Sequence, residues 1–304
     1  LELRKKLYPH SETFRLVHGE SDFLPGLIID KYNQYVALQT LSFGMDVRLD
    51  MICDALDELL HPKGIVERNE SPLRSLENLP QRKGILRGSV EPVIVEEDGV
   101  RFEVDLLAGQ KTGFFLDQRE NRIAVRSLCR NADVLDCFCN DGGFALHAAY
   151  AGARSVLAID ASAEAIRQTQ RNATLNSVSS VETRQADVFE SLKELGSADR
   201  RFDVVILDPP SFTRTKKNVQ AAKKGYRELH TLALRVLKRG GILATASCSH
   251  HIQPDVFLEI VDTTARKIGR TLQLLDWRSA APDHPILPAV PETRYLKFGL
   301  FRVV

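Results

Sequence analysis

The chain has 304 residues, of which 43% are hydrophobic and 27% charged, a composition typical of a globular protein that is long enough for two domains. Its 41 basic and 40 acidic side chains give a formal net charge of +1, which excludes a polycation that binds partners through overall charge. No apolar run approaches the roughly 18 residues of a membrane span, and no signal peptide is visible, so we expect no membrane partner. Five cysteines without disulfide-like spacing predict a reducing, cytoplasmic location.

Residues 1–105 are predicted to form a small α+β domain with the order strand–strand–helix–strand–strand. Apolar runs on either side of Asn33-Gln34 indicate a β-hairpin. Near-helical spacing predicts a helix over 46–60, whose apolar positions are Val47, Leu49, Ile52, Leu56 and Leu59 or Leu60. Residues 64–69 and 92–107 are predicted to be strands, the latter a pair joined at 97–99. No catalytic constellation stands out in this domain.

Residues 106–304 alternate apolar strands with helices, which predicts a doubly wound parallel sheet of the Rossmann-like α/β class. The predicted strands cover 133–138, 155–160, 202–210 and 240–248, and the predicted helices cover 142–152, 162–176 and about 218–238. In such sheets the ligand binds at the carboxyl ends of the strands.

Acidic residues end the predicted strands in order, and a Gly142-Gly143 pair begins the first helix; the acids are Asp136, Asp160, Asp187 and Asp208. The G-x-G-x-x-G motif of dinucleotide sites is absent, and Asp136 and Asp141 would repel a pyrophosphate. S-adenosylmethionine carries a sulfonium and an ammonium but no phosphate, so acids suit it. We predict S-adenosylmethionine as the cofactor, held by Asp136, Gly142, Gly143, Asp160, Asp187 and Asp208.

Each of these residues has a structural alternative. Asp136 is in the position of a turn cap, Asp160 in that of a helix cap, and Asp187 in that of an acid on a surface loop. Cys137 and Cys139 share one predicted strand face, but no second Cys or His pair lies at zinc spacing. We therefore expect these two thiols to be packing residues and predict no metal site.

Five segments carry a resemblance to a known family; they cover 16–32, 111–122, 134–149, 207–217 and 247–251. Together they resemble the large-subunit ribosomal RNA (cytosine-5) methyltransferases, class I S-adenosylmethionine enzymes. The resemblance spans essentially the whole chain. Members usually begin with an RNA-binding PUA domain, and we expect this chain, which starts at Leu1, to lack it together with its natural start.

The resemblance also implies cofactor contacts along residues 111–119. It places Lys111, Phe115, Gln118 and Arg119 beside the cofactor, with Lys111 or Arg119 holding the methionine carboxylate. A solvated helix start is the alternative for these residues. The chain departs from the family at Asn140-Asp141, where members often have Tyr-Thr or a similar neutral pair.

The segment Asp208-Pro209-Pro210 predicts a rigid turn, because each proline fixes φ and lacks an N–H. Its carbonyls are free to accept hydrogen bonds from a base amino group, and Phe212 is placed to stack on a planar base. Enzymes that methylate a base nitrogen use a similar turn. The turn therefore predicts a bound base without deciding which atom is methylated; a structural turn without substrate is the other alternative.

Cys248 ends the next predicted strand and favours methylation of cytosine carbon 5. A thiolate that adds to carbon 6 makes carbon 5 nucleophilic, and an acid near N3 then assists. We predict Cys248 as the nucleophile and Asp208 as the acid, with Ser211 after the Asp-Pro-Pro turn, as the family pattern expects. His250 and His251 are expected to be loop or substrate contacts. The sequence does not identify the base that removes the carbon 5 proton, and a buried core thiol is the alternative for Cys248.

Basic residues crowd the segment 211–240, against the single acid Glu228; they are Arg214, Lys216, Lys217, Lys223, Lys224, Arg227, Arg235, Lys238 and Arg239. Such a local field beside a base pocket predicts phosphate contacts and an RNA partner, ribosomal RNA by resemblance. We assign substrate binding to Pro209, Pro210, Phe212, Arg214, Lys216 and Lys217.

Several alternatives remain open at this level. The basic segment also fits a solvated helix face. The chain as a whole also fits a non-catalytic RNA-binding module, whereas the missing glycine fingerprint weighs against a nicotinamide oxidoreductase. The first domain is expected to broaden the RNA surface. The oligomeric state stays open, with a homodimer as one option.

Overall fold

The computed structural model describes residues 1–109, 112–213 and 216–304. The chain forms two compact units: residues 1–119 with 281–293, and residues 120–280 with 294–304. The sequence placed the boundary at 105/106 instead. Hydrogen bonds account for the difference, because Phe114 N–H donates to the Tyr32 hydroxyl (3.1 Å) and Ala281 N–H donates to Asp117 O (2.9 Å) within the first unit.

The first unit contains a five-stranded sheet with the order β1-β2-β3-β4-β5 and a separate β6-β7 hairpin. The strands are β1 (Thr13–His18), β2 (Leu27–Tyr32), β3 (Tyr35–Thr40), β4 (Gly64–Asn69), β5 (Arg82–Gly88), β6 (Val93–Glu97) and β7 (Val100–Val104). The helices in this part are α1 (Glu2–Leu7), α2 (Phe43–Asp46) and α3 (Leu49–Leu60). The hairpins predicted at Asn33-Gln34 and at 97–99 are confirmed.

Helix α3 is confirmed, and its predicted apolar positions Leu49, Ile52, Leu56 and Leu60 lie in or against the core cluster of the first sheet, whereas Val47 does not. Cys53 and Leu56 are buried, whereas Val47 and Leu59 are 59% and 66% exposed. Val47 is exposed because it precedes the first turn of the helix, and of the two predicted alternatives Leu60 packs against the cluster while Leu59 does not. Strands β1 and β5 were not predicted. They are the edge strands of this sheet, and edge strands need not be apolar on both faces, so their sequences lack a continuous apolar run.

The second unit is a seven-stranded sheet with the order β10-β9-β8-β11-β12-β14-β13. Its strands are β8 (Asp133–Cys137), β9 (Ser155–Asp160), β10 (Val181–Gln185), β11 (Phe202–Leu207), β12 (Leu237–Ser247), β13 (Leu272–Arg278) and β14 (Lys297–Val303). The helices that follow the first unit are α4 (Arg119–Arg126), α5 (Gly143–Tyr150), α6 (Ala163–Leu175), α7 (Val188–Ser197), α8 (Val219–Val236) and α9 (Pro254–Lys267). Strands β8 to β12 pair in parallel and β14 is antiparallel to both neighbours, which confirms the doubly wound α/β fold.

The strand order reverses at β8, which lies between β9 and β11. At this point the carboxyl ends of the two neighbours are tied to that of β8: Phe138 N–H donates to Ile159 O (2.9 Å), and Asp208 N–H donates to Cys137 O (3.4 Å). A reversal of this kind leaves a crevice outside the carboxyl ends of the strands, which is where ligands bind in open α/β sheets.

Apolar side chains form separate clusters on the two faces of the second sheet. Cys137 belongs to one cluster and Cys139 to the other, so the expectation that they share one face is wrong. Strand β8 ends at Cys137, and Phe138 has a φ of 65°. Residues 137 and 139 therefore do not follow the strand rule that every second side chain points to the same face. Both thiols are buried packing residues, as predicted. In the described ranges, no helix is long and apolar enough to cross a membrane, and no cluster of acidic, His or Cys side chains forms a metal site.

A buried histidine links α8 to β12. His230 Nδ1 donates to Tyr226 O (2.6 Å), and its Nε2 accepts from Thr245 Oγ1 (2.9 Å). Burial lowers the pKa of His230 to about 4, so this side chain is neutral in the folded state.

Acid is therefore expected to destabilise the wild type more than His230→Gln. The folded pKa lies below the unfolded value of about 6.5, so the stabilisation is complete above pH 6.5 and is lost as the pH falls toward 4. Urea unfolding should show the advantage of the wild type shrinking by about 3 kcal/mol between pH 7 and pH 4. A difference that stays constant over this range would contradict a neutral His230.

Candidate active site

Hydrogen bonds join the loops that follow β11 and β12. Ser211 Oγ lies 3.1 Å from Ser249 Oγ, and Phe212 N–H donates to the same Ser249 oxygen (3.2 Å). These loops carry Asp208 and Cys248, so the predicted acid and the predicted nucleophile belong to one tied structure at the carboxyl ends of neighbouring strands.

Tyr226 of α8 organises the cysteine loop from one side. Its hydroxyl donates to Ser247 Oγ (2.9 Å) and lies 3.1 Å from Ser249 Oγ. Because Ser247 and Ser249 both face this tyrosine, alternation along the extended chain turns the Cys248 side chain to the other side. Burial, followed by the negative charges of Cys248 and Asp208, raises the pKa of Tyr226 to about 12, so it remains a neutral donor.

Cys248 differs from the other cysteines in exposure. It is half-buried, whereas the remaining cysteines are all buried; they are Cys53, Cys129, Cys137 and Cys139. Burial raises the pKa of each of those four thiols. Cys248 is therefore the thiol that a ligand or reagent can reach.

A buried lysine that the sequence analysis missed lies next to this loop. Lys297 of β14 pairs with Ser247 of β12 and is 2% exposed. Its Nζ donates to Ser249 O and to Tyr295 O, each at 2.8 Å. A lysine inside the apolar segment 296–301 was a usable signal, because charged residues are rarely buried without a purpose.

At the cofactor end, Asp136 is a buried acid with an unmatched oxygen. Its Oδ2 accepts from Ala145 N–H (2.9 Å), whereas its Oδ1 has no hydrogen-bond partner among the described residues. Burial first, and then the charges of Asp208, Asp160 and Asp141, hold the pKa of Asp136 well above its usual value. Clustered acids with an unsatisfied acceptor suit a ligand that brings positive charge and hydrogen-bond donors.

The other predicted cofactor acids have different surroundings. The Asp160 carboxylate accepts from Asn140 N–H (3.0 Å) and Ser162 N–H (2.9 Å), and so fixes the loop after β8. Asp187 lies two residues beyond β10 and caps α7 by accepting from Glu190 N–H (3.0 Å). The cap uses Asp187 Oδ1, and the predicted cofactor contact of this residue stays a prediction.

Packing requires glycine at 142 and leaves little room at 143. Gly142 has a φ of 83°, and a Cβ there would lie 2.8 Å from Thr169 Cγ2 of α6. At Gly143 a Cβ would approach Arg122 Cδ to 3.0 Å. These contacts explain the glycines from the protein side, in addition to the close ligand approach that the sequence suggested.

The residues predicted from segment 111–119 belong to the first unit. Gln118 and Arg119 are buried and Phe115 is half-buried, while Lys111 lies outside the described residues. The Arg119 guanidinium is 3.7 Å from Asp98, donates to Thr13 O (3.2 Å) and stacks on Tyr8 at 4.4 Å. These contacts within the first unit account for its burial without a bound carboxylate.

The predicted substrate residues differ in burial and in their contacts. Pro209 is buried and Pro210 exposed, and the Phe212 ring packs 4.5 Å from that of Tyr226. Phe212 thus anchors its loop on α8, a structural role that the base-stacking expectation did not include. Lys217 is exposed, whereas Arg214 lies outside the described residues and the Lys216 side chain is likewise not described.

The basic segment does not form one patch at the pocket mouth, contrary to the expectation. Helix α8 has 18 residues and is therefore about 27 Å long. It carries its last basic residues to the opposite edge of the sheet, where Lys238 pairs with Asp203 (2.9 Å) and Asp133 (3.3 Å). Lys217, just before α8, lies at the other end of the helix from Lys238.

Comparison with known proteins identifies the family. The sequence model of the S-adenosylmethionine-dependent methyltransferases matches residues 86–302, more than two thirds of the chain. The chain belongs to this family. The methyltransferase fold and the S-adenosylmethionine requirement predicted from the strand-end acids are thereby confirmed.

Curated relatives of this methyltransferase carry a more specific name. A protein named ribosomal RNA large subunit methyltransferase I from Tolumonas auensis is 39% identical over 296 residues, which cover 96% of this chain and 75% of the relative. A protein of the same name from Aeromonas salmonicida is 41% identical over 288 residues, 93% of this chain and 73% of the relative.

Among solved structures, a SAM-dependent methyltransferase from Streptococcus mutans has a TM-score of 0.86 to this methyltransferase. It is 22% identical, and the match covers 99% of this chain and 78% of the other. At this identity the similarity concerns the fold alone.

Proposed function

We propose that this methyltransferase acts in the cytoplasm on large-subunit ribosomal RNA and forms 5-methylcytosine through a covalent bond to Cys248. The name shared by the two relatives supports the RNA substrate. One observation carries the chemistry: the half-buried Cys248 is tied, through Ser249 and Ser211, to the turn that begins at Asp208. A nucleophile and an acid on adjacent strand ends are the groups that carbon 5 methylation requires.

The proposed reaction begins at carbon 6 of the cytosine. The Cys248 thiolate adds there, forming an S–C bond while the carbon 5–carbon 6 double bond opens and charge develops toward N3. Asp208 is proposed to face N3 and the exocyclic amine, where it orients the base and, with a proton taken up when the cytosine binds, stabilises the charge that develops at N3. Carbon 5 would then take the methyl group, with S-adenosylhomocysteine as the leaving group. A base takes the carbon 5 proton, and the electron pair of that C–H bond restores the double bond and expels the thiolate.

The crevice around Asp136 and Asp160 is the proposed cofactor site. When bound, S-adenosylmethionine supplies the electrophilic methyl group that carbon 5 accepts. The unpartnered oxygen of buried Asp136 and the acids around it fit the positive charge of this group. Asp160 holds the Asn140 amide and is proposed to accept hydrogen bonds from the ribose.

Asp160→Ala is expected to weaken S-adenosylmethionine binding at least about tenfold, because it removes a ribose acceptor and also frees the loop after β8. Isothermal titration calorimetry measures this affinity directly. Asp262→Ala is the matched control: it removes a carboxylate that pairs with Arg266 (2.7 Å) on α9. Equal affinities of the two variants would contradict the assignment of Asp160.

The RNA contacts are proposed to include the exposed Lys217 and the prolines at 209–210, while Arg214 and Lys216 stay predictions from the sequence. Lysine and arginine bind phosphates in a salt-dependent manner. Because Lys238, beyond the far end of α8, pairs with acids of the sheet, we propose that the phosphate contacts lie at the start of the segment.

The decisive assay is incubation with labelled S-adenosylmethionine and large-subunit ribosomal RNA that lacks native methylation, followed by nucleoside analysis. We expect the label in 5-methylcytidine. Label in a methylated guanine or adenine would favour nitrogen methylation at the same turn and contradict the proposal. Absence of label despite S-adenosylmethionine binding would favour a non-catalytic RNA-binding module.

A further inference from the structure

The cysteine loop has a buried cation behind it. Lys297 is the first residue of β14 and lies opposite Ser247, the residue before Cys248. Its Nζ donates to the carbonyl of Ser249, the residue after Cys248. The lysine therefore contacts the chain at the residues before and after Cys248, and only 2% of its own surface is exposed.

This ammonium is not neutralised by a carboxylate. Among the described residues, no carboxylate oxygen lies within 4.0 Å of Lys297 Nζ, and its two hydrogen bonds go to neutral carbonyls. An ammonium has three N–H donors, so two carbonyls leave one of them for another acceptor. Burial lowers the pKa of Lys297 to about 8, and negative charge on Cys248 acts in the opposite direction.

We propose that Lys297 is a positioning residue that stabilises Cys248 as a thiolate. The inference deepens the proposed function and rests on it for its catalytic meaning, because a thiolate is the form that adds to carbon 6. An opposite charge close to a partly buried group favours its ionised form, and the free thiol of cysteine is mostly protonated at neutral pH.

Other charged and titratable groups around the loop come from different elements. Asp208, after β11, carries negative charge that opposes a thiolate, and Tyr226 of α8 is neutral because its pKa is raised to about 12. His250 is exposed and its ring lies 5.9 Å from that of Tyr295. Among the charged groups named here, Lys297 is the buried cation, and it reaches the loop at the backbone carbonyl of Ser249.

Alkylation of the intact chain by iodoacetamide tests the proposal without RNA or cofactor. The rate at Cys248, followed by peptide mass mapping against a Cys248→Ser blank, is measured from pH 5 to pH 10. We expect the wild-type rate to have its midpoint below about 8.5, the value of a free cysteine. Lys297→Met should be at least about tenfold slower at pH 7, with its midpoint shifted upward.

Two further variants separate charge from packing. Lys297→Arg keeps the charge, so its midpoint should stay within about half a pH unit of the wild type. Lys238→Met removes a lysine at the other end of β12 and should leave the profile unchanged. Circular dichroism establishes that each variant is folded.

A wild-type midpoint at or above 8.5, a folded Lys297→Met with an unchanged profile, or a Lys297→Arg profile equal to that of the methionine variant would each overturn the proposal. If Lys297→Met does not fold, the wild-type midpoint decides alone. If the alkylation results overturn the role of Lys297, the nucleoside assay can still detect 5-methylcytidine and support the proposed function. Conversely, a chain that does not form 5-methylcytidine would refute the proposed function even if Cys248 proved to be a thiolate.

Discussion

Cys248→Ala is expected to reduce methyl transfer to RNA by at least about 1,000-fold, because Cys248 is the one thiol among the described residues of the two tied loops and a hydroxyl is a much weaker nucleophile. The substitution removes the sulfur without disturbing the hydroxyls of Ser247 and Ser249, which bond to Tyr226 on the opposite side. S-adenosylmethionine affinity should therefore remain within about twofold of the wild type. Single-turnover kinetics and calorimetry measure the two quantities.

Cys53→Ala provides the matched control, since it deletes a buried thiol in the first unit, far along the chain from the strand ends. This variant should keep its transfer rate apart from any loss of stability. Full activity of Cys248→Ala would eliminate the covalent route. A joint loss of transfer and cofactor binding would instead assign the cysteine to the fold of the site.

Asp208→Asn is expected to lower kcat about 100-fold while leaving KM for RNA nearly unchanged. The amide keeps the size of the carboxyl group and can still contact the base, but it cannot supply a proton at N3. The effect therefore falls on the step in which charge develops, a loss realised in kcat.

Asp208→Asn should affect the alkylation rate of Cys248 differently from methyl transfer. Removing the Asp208 charge should not slow alkylation of Cys248, because that charge opposes thiolate formation. Transfer and alkylation would then change independently in Asp208→Asn, whereas both fall in Lys297→Met. If Asp208→Asn lost alkylation together with transfer, Asp208 would be a residue that maintains the cysteine loop instead of one that acts on the base.

Much of the second unit could be predicted because its parallel strands are buried on both faces and so appear as continuous apolar runs. The acids at their ends could be assigned to one edge of the sheet for the same reason, since parallel strands share a carboxyl edge. Edge strands such as β5 carry polar residues on an exposed face and gave no comparable signal.

The contacts that build the site depend on sheet order, which local pattern does not contain. Lys297 reaches Ser249 across 48 residues because β14 inserts beside β12. Likewise, the packing of Gly142 against Thr169 requires α6 to lie over the loop after β8. A lysine within an apolar strand was visible in the sequence, but its partner was not.

The helix cap at Asp187 and the packed ring of Phe212 show that sequence position alone does not determine the contacts of a residue. Both residues lie at positions typical of ligand contacts, and both also make contacts within the protein: Asp187 caps α7, and Phe212 packs against Tyr226. Spacing predicts where a side chain lies along the fold, whereas its hydrogen-bond partners decide what it does there.

RNA that carries 5-fluorocytidine tests the covalent account most directly, because carbon 5 then has no proton to lose and the bond to sulfur cannot be released. With S-adenosylmethionine present, the account predicts a stable protein–RNA adduct, retained on denaturing gels and mapped by mass spectrometry to the peptide that contains Cys248. Efficient methylation of the unsubstituted RNA without any such adduct, or an adduct on another residue, would contradict it.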